Sequence, residues 1–153
     1  MRISVISVGK IKDKGVRKLS EDYRGRLSHH LKAVDLDVSK VKRGDSLRIR
    51  KEEGEALLQA LPEGALVVAM TEEGKKLSSY KLAEEMQRWL GDGVQDVAFL
   101  VGGAHGLSEE VKKSAHLSLS LSAMTFPHDI ARMLLWEQLY RAMTILRGEP
   151  YHK

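Results

Sequence analysis

Two rhythms of apolar and polar residues alternate along the chain. Residues 3–8, Ile3-Ser4-Val5-Ile6-Ser7-Val8, form a short β-rich apolar run closed by Gly9. Residues 65–70 and 97–101 repeat the pattern with hardly a polar position, which predicts strands covered on both faces. Between them the spacing becomes helical. Val16, Leu19, Tyr23, Leu27 and Leu31 predict a helix with Lys18, Glu21, Arg24 and Ser28 outward. A second helix runs to Leu61, where Pro62-Glu63-Gly64 stops it. A third starts at Ser78 or Ser79, carries Leu82, Met86 and Trp89, and ends at Gly91-Asp92-Gly93. Ser108 caps a fourth, with Glu109 and Glu110 where the helix dipole favours acids. Val34, Leu36 and Val38 alternate with Asp35 and Asp37, the pattern of a half-exposed edge strand. Residues 71–77 are expected as a polar loop. Strand–helix alternation of this kind predicts an α/β fold, a mainly parallel sheet with helices on both faces, and one domain over residues 1–153.

The last stretch breaks the rhythm. Leu117, Leu119 and Leu121 predict a final strand, followed by a loop of small and apolar residues, and Pro127 helps to start a helix. That helix carries Ile130, Met133, Leu134, Leu135, Trp136, Leu139, Tyr140, Met143, Ile145 and Leu146, more than one face can hold. A domain this small rarely buries a helix all round, so one side is expected against the sheet and the other against a second copy, as a two-fold homodimer. Arg132, Glu137 and Arg141 interrupt the helix, and the N-terminal apolar run is too brief for a leader, so no membrane association is expected.

Charge sharpens the picture. Residues 1–51 hold 15 Lys and Arg against 6 Asp and Glu, while the rest of the chain is net acidic. A basic half facing a polyanion explains this, and so does a solvated basic face. The chain has no cysteine, which excludes thiolate chemistry and fits a cytoplasmic protein.

Parallel sheets bind ligands at the carboxyl ends of their strands. Three such ends carry unusual loops: after Met70, at Gly102-Gly103-Ala104-His105-Gly106, and over Leu121-Ser122-Ala123-Met124-Thr125-Phe126. The glycines match neither a dinucleotide fingerprint nor a P-loop. In the third loop, apolar side chains and free amides suit a flat heterocycle, although a plain strand–helix connection would look similar. Glu137 and Arg141 are placed to pair at i,i+4, either to satisfy one another or to aim Arg141 at a phosphate or base. The six histidines lack metal-ligand spacing, so no metal is expected. His116 is expected in a structural role. His128 and His152 lie beside the expected crevice.

Taken together, residues 99–107 (Phe-Leu-Val-Gly-Gly-Ala-His-Gly-Leu), 119–128 (Leu-Ser-Leu-Ser-Ala-Met-Thr-Phe-Pro-His), 137–142 and the closing Pro150-Tyr151-His152-Lys153 resemble one family over the whole chain. It is the bacterial large-subunit ribosomal RNA pseudouridine N3-methyltransferases, of the SPOUT trefoil-knotted class. The resemblance implies a C-terminal knot that holds S-adenosylmethionine, with Met70, Gly102, Leu121, Ser122, Ala123, Met124, Thr125 and Phe126 at the cofactor. It implies a homodimer whose active site is completed by the partner chain, acting on 23S ribosomal RNA in the ribosome. Arg132, Glu137, Arg141, Tyr151 and His152 would face the RNA. The chemistry of such a transfer then suggests that His152, or a water it positions, takes the substrate proton while Arg141 stabilises the charge. The reading opposed to this is a non-catalytic RNA- or ribosome-binding module, which accounts for the basic half but not for the glycine and 121–126 loops.

Overall fold

A computed structural model describes all 153 residues. In chain order the elements are β1 (Arg2–Val8), α1 (Lys14–Leu27), β2 (Lys32–Val38), α2 (Ser46–Gln59), β3 (Leu66–Lys76), α3 (Ser79–Gly91), β4 (Asp96–Val101), α4 (Glu109–Ser114), β5 (Leu117–Ser120) and α5 (His128–Leu146). The strands form one sheet in the order β2-β1-β4-β3-β5, and every pairing is parallel. Parallel neighbours need long crossovers, and the helices supply them.

Alternation along each strand divides the core into two layers. Ile3 and Val5 of β1, Val68 of β3 and Val97, Phe99 and Val101 of β4 pack with Leu27 of α1, Met86 of α3 and Trp136 of α5. Ile6, Val8, Val67, Ala69, Ala98 and Leu100 point to the other face, towards Leu57 of α2 and Val111 of α4. Helices thus cover both faces, and the central strands are apolar at nearly every position because neither side meets water. Four helices begin on a side-chain cap. Asp13, Asp45, Ser78 and Ser108 accept from the amides of Val16, Arg48, Lys81 and Val111 at 2.8–3.2 Å.

Three expectations change. Leu19 is 41% exposed while Ser20 is buried, and α1 stops before Leu31; the helix turns its Ser20–Leu27 side to the core. β2 is an edge strand, but Asp35 is partly buried, and Asp37, though exposed, does not stand free. Both accept hydrogen bonds from Arg132, a cation delivered by α5 from almost a hundred residues away, and Leu36 between them stays exposed. Finally, β3 does not end at Met70. Met70 pairs with Leu119, residues 71–74 leave the ladder, and Lys75 returns to pair with the same Leu119. The polar stretch is therefore an excursion within a longer strand. Gly74 permits it, since a Cβ there would lie 2.7 Å from the Leu119 nitrogen.

Gly74→Ala should separate β3 from β5. The cost expected from such overpacking is about 1–3 kcal/mol. A lowered denaturation midpoint with unchanged m-value checks it.

Candidate active site

The carboxyl ends of β3, β4 and β5 are neighbours, and their loops enclose one pocket. Met70, Thr71 and the Glu72–Glu73 excursion form one wall, and Gly102, Gly103 and Gly106 form the second. Leu121, Ser122, Met124 and Phe126 form the third, and the first turn of α5 closes the base with His128 and Ala131.

Each wall is built from its own sequence. Gly102 and Gly106 approach so closely that a Cβ on Gly102 would lie 2.8 Å from the Gly106 carbonyl carbon. Gly106 has φ +79°, a conformation that favours glycine. The Gly106 amide donates to the Gly103 carbonyl and the two residues form an antiparallel bridge, leaving the amides of Ala104 and His105 at the tip of the loop without backbone acceptors. In the third wall, Ser120 Oγ donates to the Ser122 carbonyl at 2.9 Å, and Ser122 Oγ accepts from the Met124 amide at 3.0 Å. These bonds hold the loop open and leave Met124 75% exposed. Across the mouth, Lys112 pairs with Glu73 at 2.6 Å, and its hydrogen bond holds the Glu73 carboxyl below the usual carboxylate range. Apolar flanks beside a glycine backbone that a ligand can approach closely suit a flat heterocycle with a polar edge.

Of the residues expected at the cofactor, Met70, Gly102, Leu121, Ser122, Met124 and Phe126 line this pocket, and Ala123 and Thr125 are exposed in the same loop. Thr71, Glu72, Glu73, Gly103 and Lys112 join them. Their signal was the acidic-basic stretch after Met70, whose return to the ladder depends on pairing with a strand far along the chain.

A second group gathers near the far end of α5. The Glu137 carboxylate is mostly buried. It accepts from Arg141 at 2.9 and 2.6 Å, from the Tyr151 hydroxyl at 3.0 Å and from Gln138 at 2.7 Å. Arg141 lies over the Tyr151 ring, 4.7 Å from its centroid, and its third nitrogen donates to His152 Nδ1 at 3.0 Å. Tyr151 stacks edge-on against Tyr140, and His152 against Tyr80. The hydrogen bond with Glu137 raises the Arg141 guanidinium above its ordinary value, so it stays charged. Burial, then hydrogen bonds with Tyr23 and Glu137, pushes the Tyr151 phenol well up, so it remains a neutral donor.

Glu137, Arg141, Tyr151 and His152 thus form one constellation. Arg132 does not join it. Only 5% exposed, it is held by Asp35, Asp37 and the Gly9 carbonyl at 2.5–3.1 Å, an arrangement that ties α5 to the edge of the sheet. His116 is structural: its ring accepts from the Val67 amide at 2.9 Å. His105 contacts Ser46 at 3.1 Å, and His128 lies 3.3 Å from Asp129. No group of three or more acidic or histidine ligands is placed to hold a metal, and no helix is long and apolar enough to cross a membrane.

A parallel sheet with a three-loop pocket at its strand ends and a glycine-walled turn matches a known class. A family model described as a predicted SPOUT methyltransferase matches residues 1–152. The chain belongs to the SPOUT methyltransferase family. Among its relatives, a protein of Desulfotalea psychrophila is 46% identical over 154 residues, spanning 100% of both chains. One of Nitrobacter hamburgensis is 41% identical over 159 residues, spanning 100% of this chain and 99% of its own. Both carry the name ribosomal RNA large subunit methyltransferase H. Among solved structures, a probable methyltransferase from Bordetella pertussis aligns with TM-score 0.58 at 14% identity, covering 92% of this chain and 95% of that one. A structure described as addressing 2-OH methylation of C/U34 on tRNA aligns with TM-score 0.52 at 16% identity, covering 97% and 98%. These likenesses concern the fold.

Arg132→Ala would leave Asp35 and Asp37 without their cation. The expected loss is about 3 kcal/mol of stability, read by chemical denaturation. A variant that keeps its stability but loses RNA affinity would return Arg132 to the substrate side.

Proposed function

We propose that this protein is an S-adenosylmethionine-dependent methyltransferase that methylates N3 of a pseudouridine in 23S ribosomal RNA on the assembled ribosome, working as a homodimer. The observation that carries the reading is the convergence of the Met70, Gly102 and Leu121–Phe126 walls on one pocket, in a chain that aligns end to end with large-subunit ribosomal RNA methyltransferases. The proposal includes the trefoil knot formed by these loops. The bound cofactor supplies an electrophilic sulfonium methyl group. Leu121, Met124 and Phe126 supply the apolar flanks for its heterocycle, and the amides of the glycine loop supply donors for its polar edges.

The separation of the two constellations supports the dimer. Ala131 lines the pocket, whereas Arg141 lies ten residues further along α5. At the rise of a helix that is about 15 Å. Within one chain, Arg141, Tyr151 and His152 do not reach a base in the pocket. A second copy packed across α5 in the opposite sense brings them there. Ile130, Met133 and Leu134, half-exposed and outside the main core cluster, provide the apolar contact.

The N3 nitrogen must lose its proton as it gains the methyl group, and negative charge builds on the base before transfer. Arg141, permanently charged and fixed by Glu137, stabilises that charge. The expected role of His152 as proton acceptor changes here. Arg141 donates to Nδ1, so a neutral ring carries its proton on Nε2 and presents a donor. His152 then supports the anion beside Arg141, and the proton leaves to solvent. The basic half, with Lys42, Arg43 and Arg48 exposed next to the glycine loop through the Ser46–His105 contact, supplies salt-dependent phosphate contacts.

Two experiments test this. His152→Ala should lower kcat about 100-fold, the loss typical of one missing anion-stabilising donor, with the shape of the pH–rate profile unchanged. Loss of the acidic limb of that profile would restore His152 as the base. Deleting residues 150–153 should preserve cooperative unfolding and abolish transfer of labelled methyl to ribosomes lacking the modification. Coexpression of that deletion with Gly102→Val, which blocks the pocket, should recover activity in mixed dimers; no recovery would mean that each site is built from one chain.

A further inference from the structure

A second cleft, of about 670 Å³, opens on the other side of α5, between α1 and the edge strand β2. Arg132 reaches into it, while its chain neighbour Ala131 lines the cofactor pocket. One helical turn therefore separates the two cavities, and both open near the carboxyl edge of the sheet.

The lining is charged in a particular way. Asp35 and Asp37 are both engaged by Arg132. Lys10, Arg17 and Arg24 are left with Glu21 as the remaining acid of the lining. Arg17 is fixed by two hydrogen bonds to the Ile11 carbonyl, at 3.1 and 2.8 Å, and Arg24 reaches the Ala33 carbonyl at 3.4 Å. Carbonyl partners orient a guanidinium without neutralising it, so these cations are held in place with their charge unspent. Between them Ser20 is 2% exposed, and its hydroxyl has no hydrogen-bond partner. Three cations around one cleft, two of them with guanidiniums held in a fixed direction, are the chemistry of a phosphate site.

We propose that this cleft binds a backbone phosphodiester of the RNA substrate, within a few nucleotides of the target base. The proposal rests on the methyltransferase reading above. Proteins that read one base of an RNA usually take it from a single-stranded stretch in which bases can be splayed out. The site contributes to affinity and register and makes no contact with the reacting atoms.

The test uses the full-length protein and large ribosomal subunits lacking the modification. Lys10→Gln combined with Arg17→Gln, and Arg24→Gln separately, are compared with wild type after thermal melts establish folding. The expected result is a KM for subunits raised about tenfold or more. kcat at saturation and calorimetric affinity for S-adenosylmethionine should stay unchanged. The slope of log affinity against log salt should fall by about one for each phosphate that the variant no longer neutralises. Unchanged KM and salt slope in both charge variants would overturn the proposal. So would dissociation of the variants to monomers in sedimentation, which would make the cleft a subunit contact. Failure of wild type to bind S-adenosylmethionine would instead sink the methyltransferase reading itself.

Discussion

Parallel pairing of all five strands is the constraint from which the rest of this molecule follows. It sends every strand end to the same edge, so the loops after Met70, Val101 and Ser120 meet, although up to fifty residues separate them in the chain. It also demands a crossover between each pair of strands, and those crossovers cover both faces. The close approach at Gly74, where the β3 excursion rejoins β5, completes the pocket wall. A side chain there would meet backbone rather than a flexible neighbour, so the wall has little freedom to relax.

The second organising element is α5, which serves three surfaces at once. Leu135, Trp136, Leu139 and Ala142 hold it to the sheet. Arg132 ties its first turn to β2, and Glu137 gathers Arg141 and Tyr151 at its other end. Buried carboxylates and guanidiniums are costly unless fully bonded, and in both clusters the bonds are made. The cost explains why such groups sit where geometry matters. The role proposed for Arg141 requires that its direction be fixed beforehand, and Glu137 fixes it.

In the proposed dimer, the distance along α5 between pocket and charged cluster gives the interface a purpose. A dimer seam is usually argued from apolar area. There Ile130, Met133 and Leu134 would supply apolar contact, and the proposed division between cofactor pocket and anion-stabilising cluster would supply the reason for it.

Much was legible in the sequence alone. Continuous apolar runs such as 97–101 mark strands buried on both faces, Ser78 and Ser108 mark helix starts, and an all-round apolar helix marks a surface in need of cover. These are local properties: periodicity and capping depend on residues a few positions apart. The motifs at 99–107, 119–128 and 150–153 pointed to the family. What tertiary structure alone decided is where charge goes. The alternation of β2 turned Asp35 and Asp37 towards solvent, but Arg132 arrives from another element to pair with both and partly buries Asp35. His152 read as a base until Arg141 occupied its acceptor nitrogen. The polar stretch 71–76 read as a loop until β5 offered a partner for Lys75 and Lys76. In each case the energy of a polar group depends on a partner distant in sequence, and no local pattern records that partner.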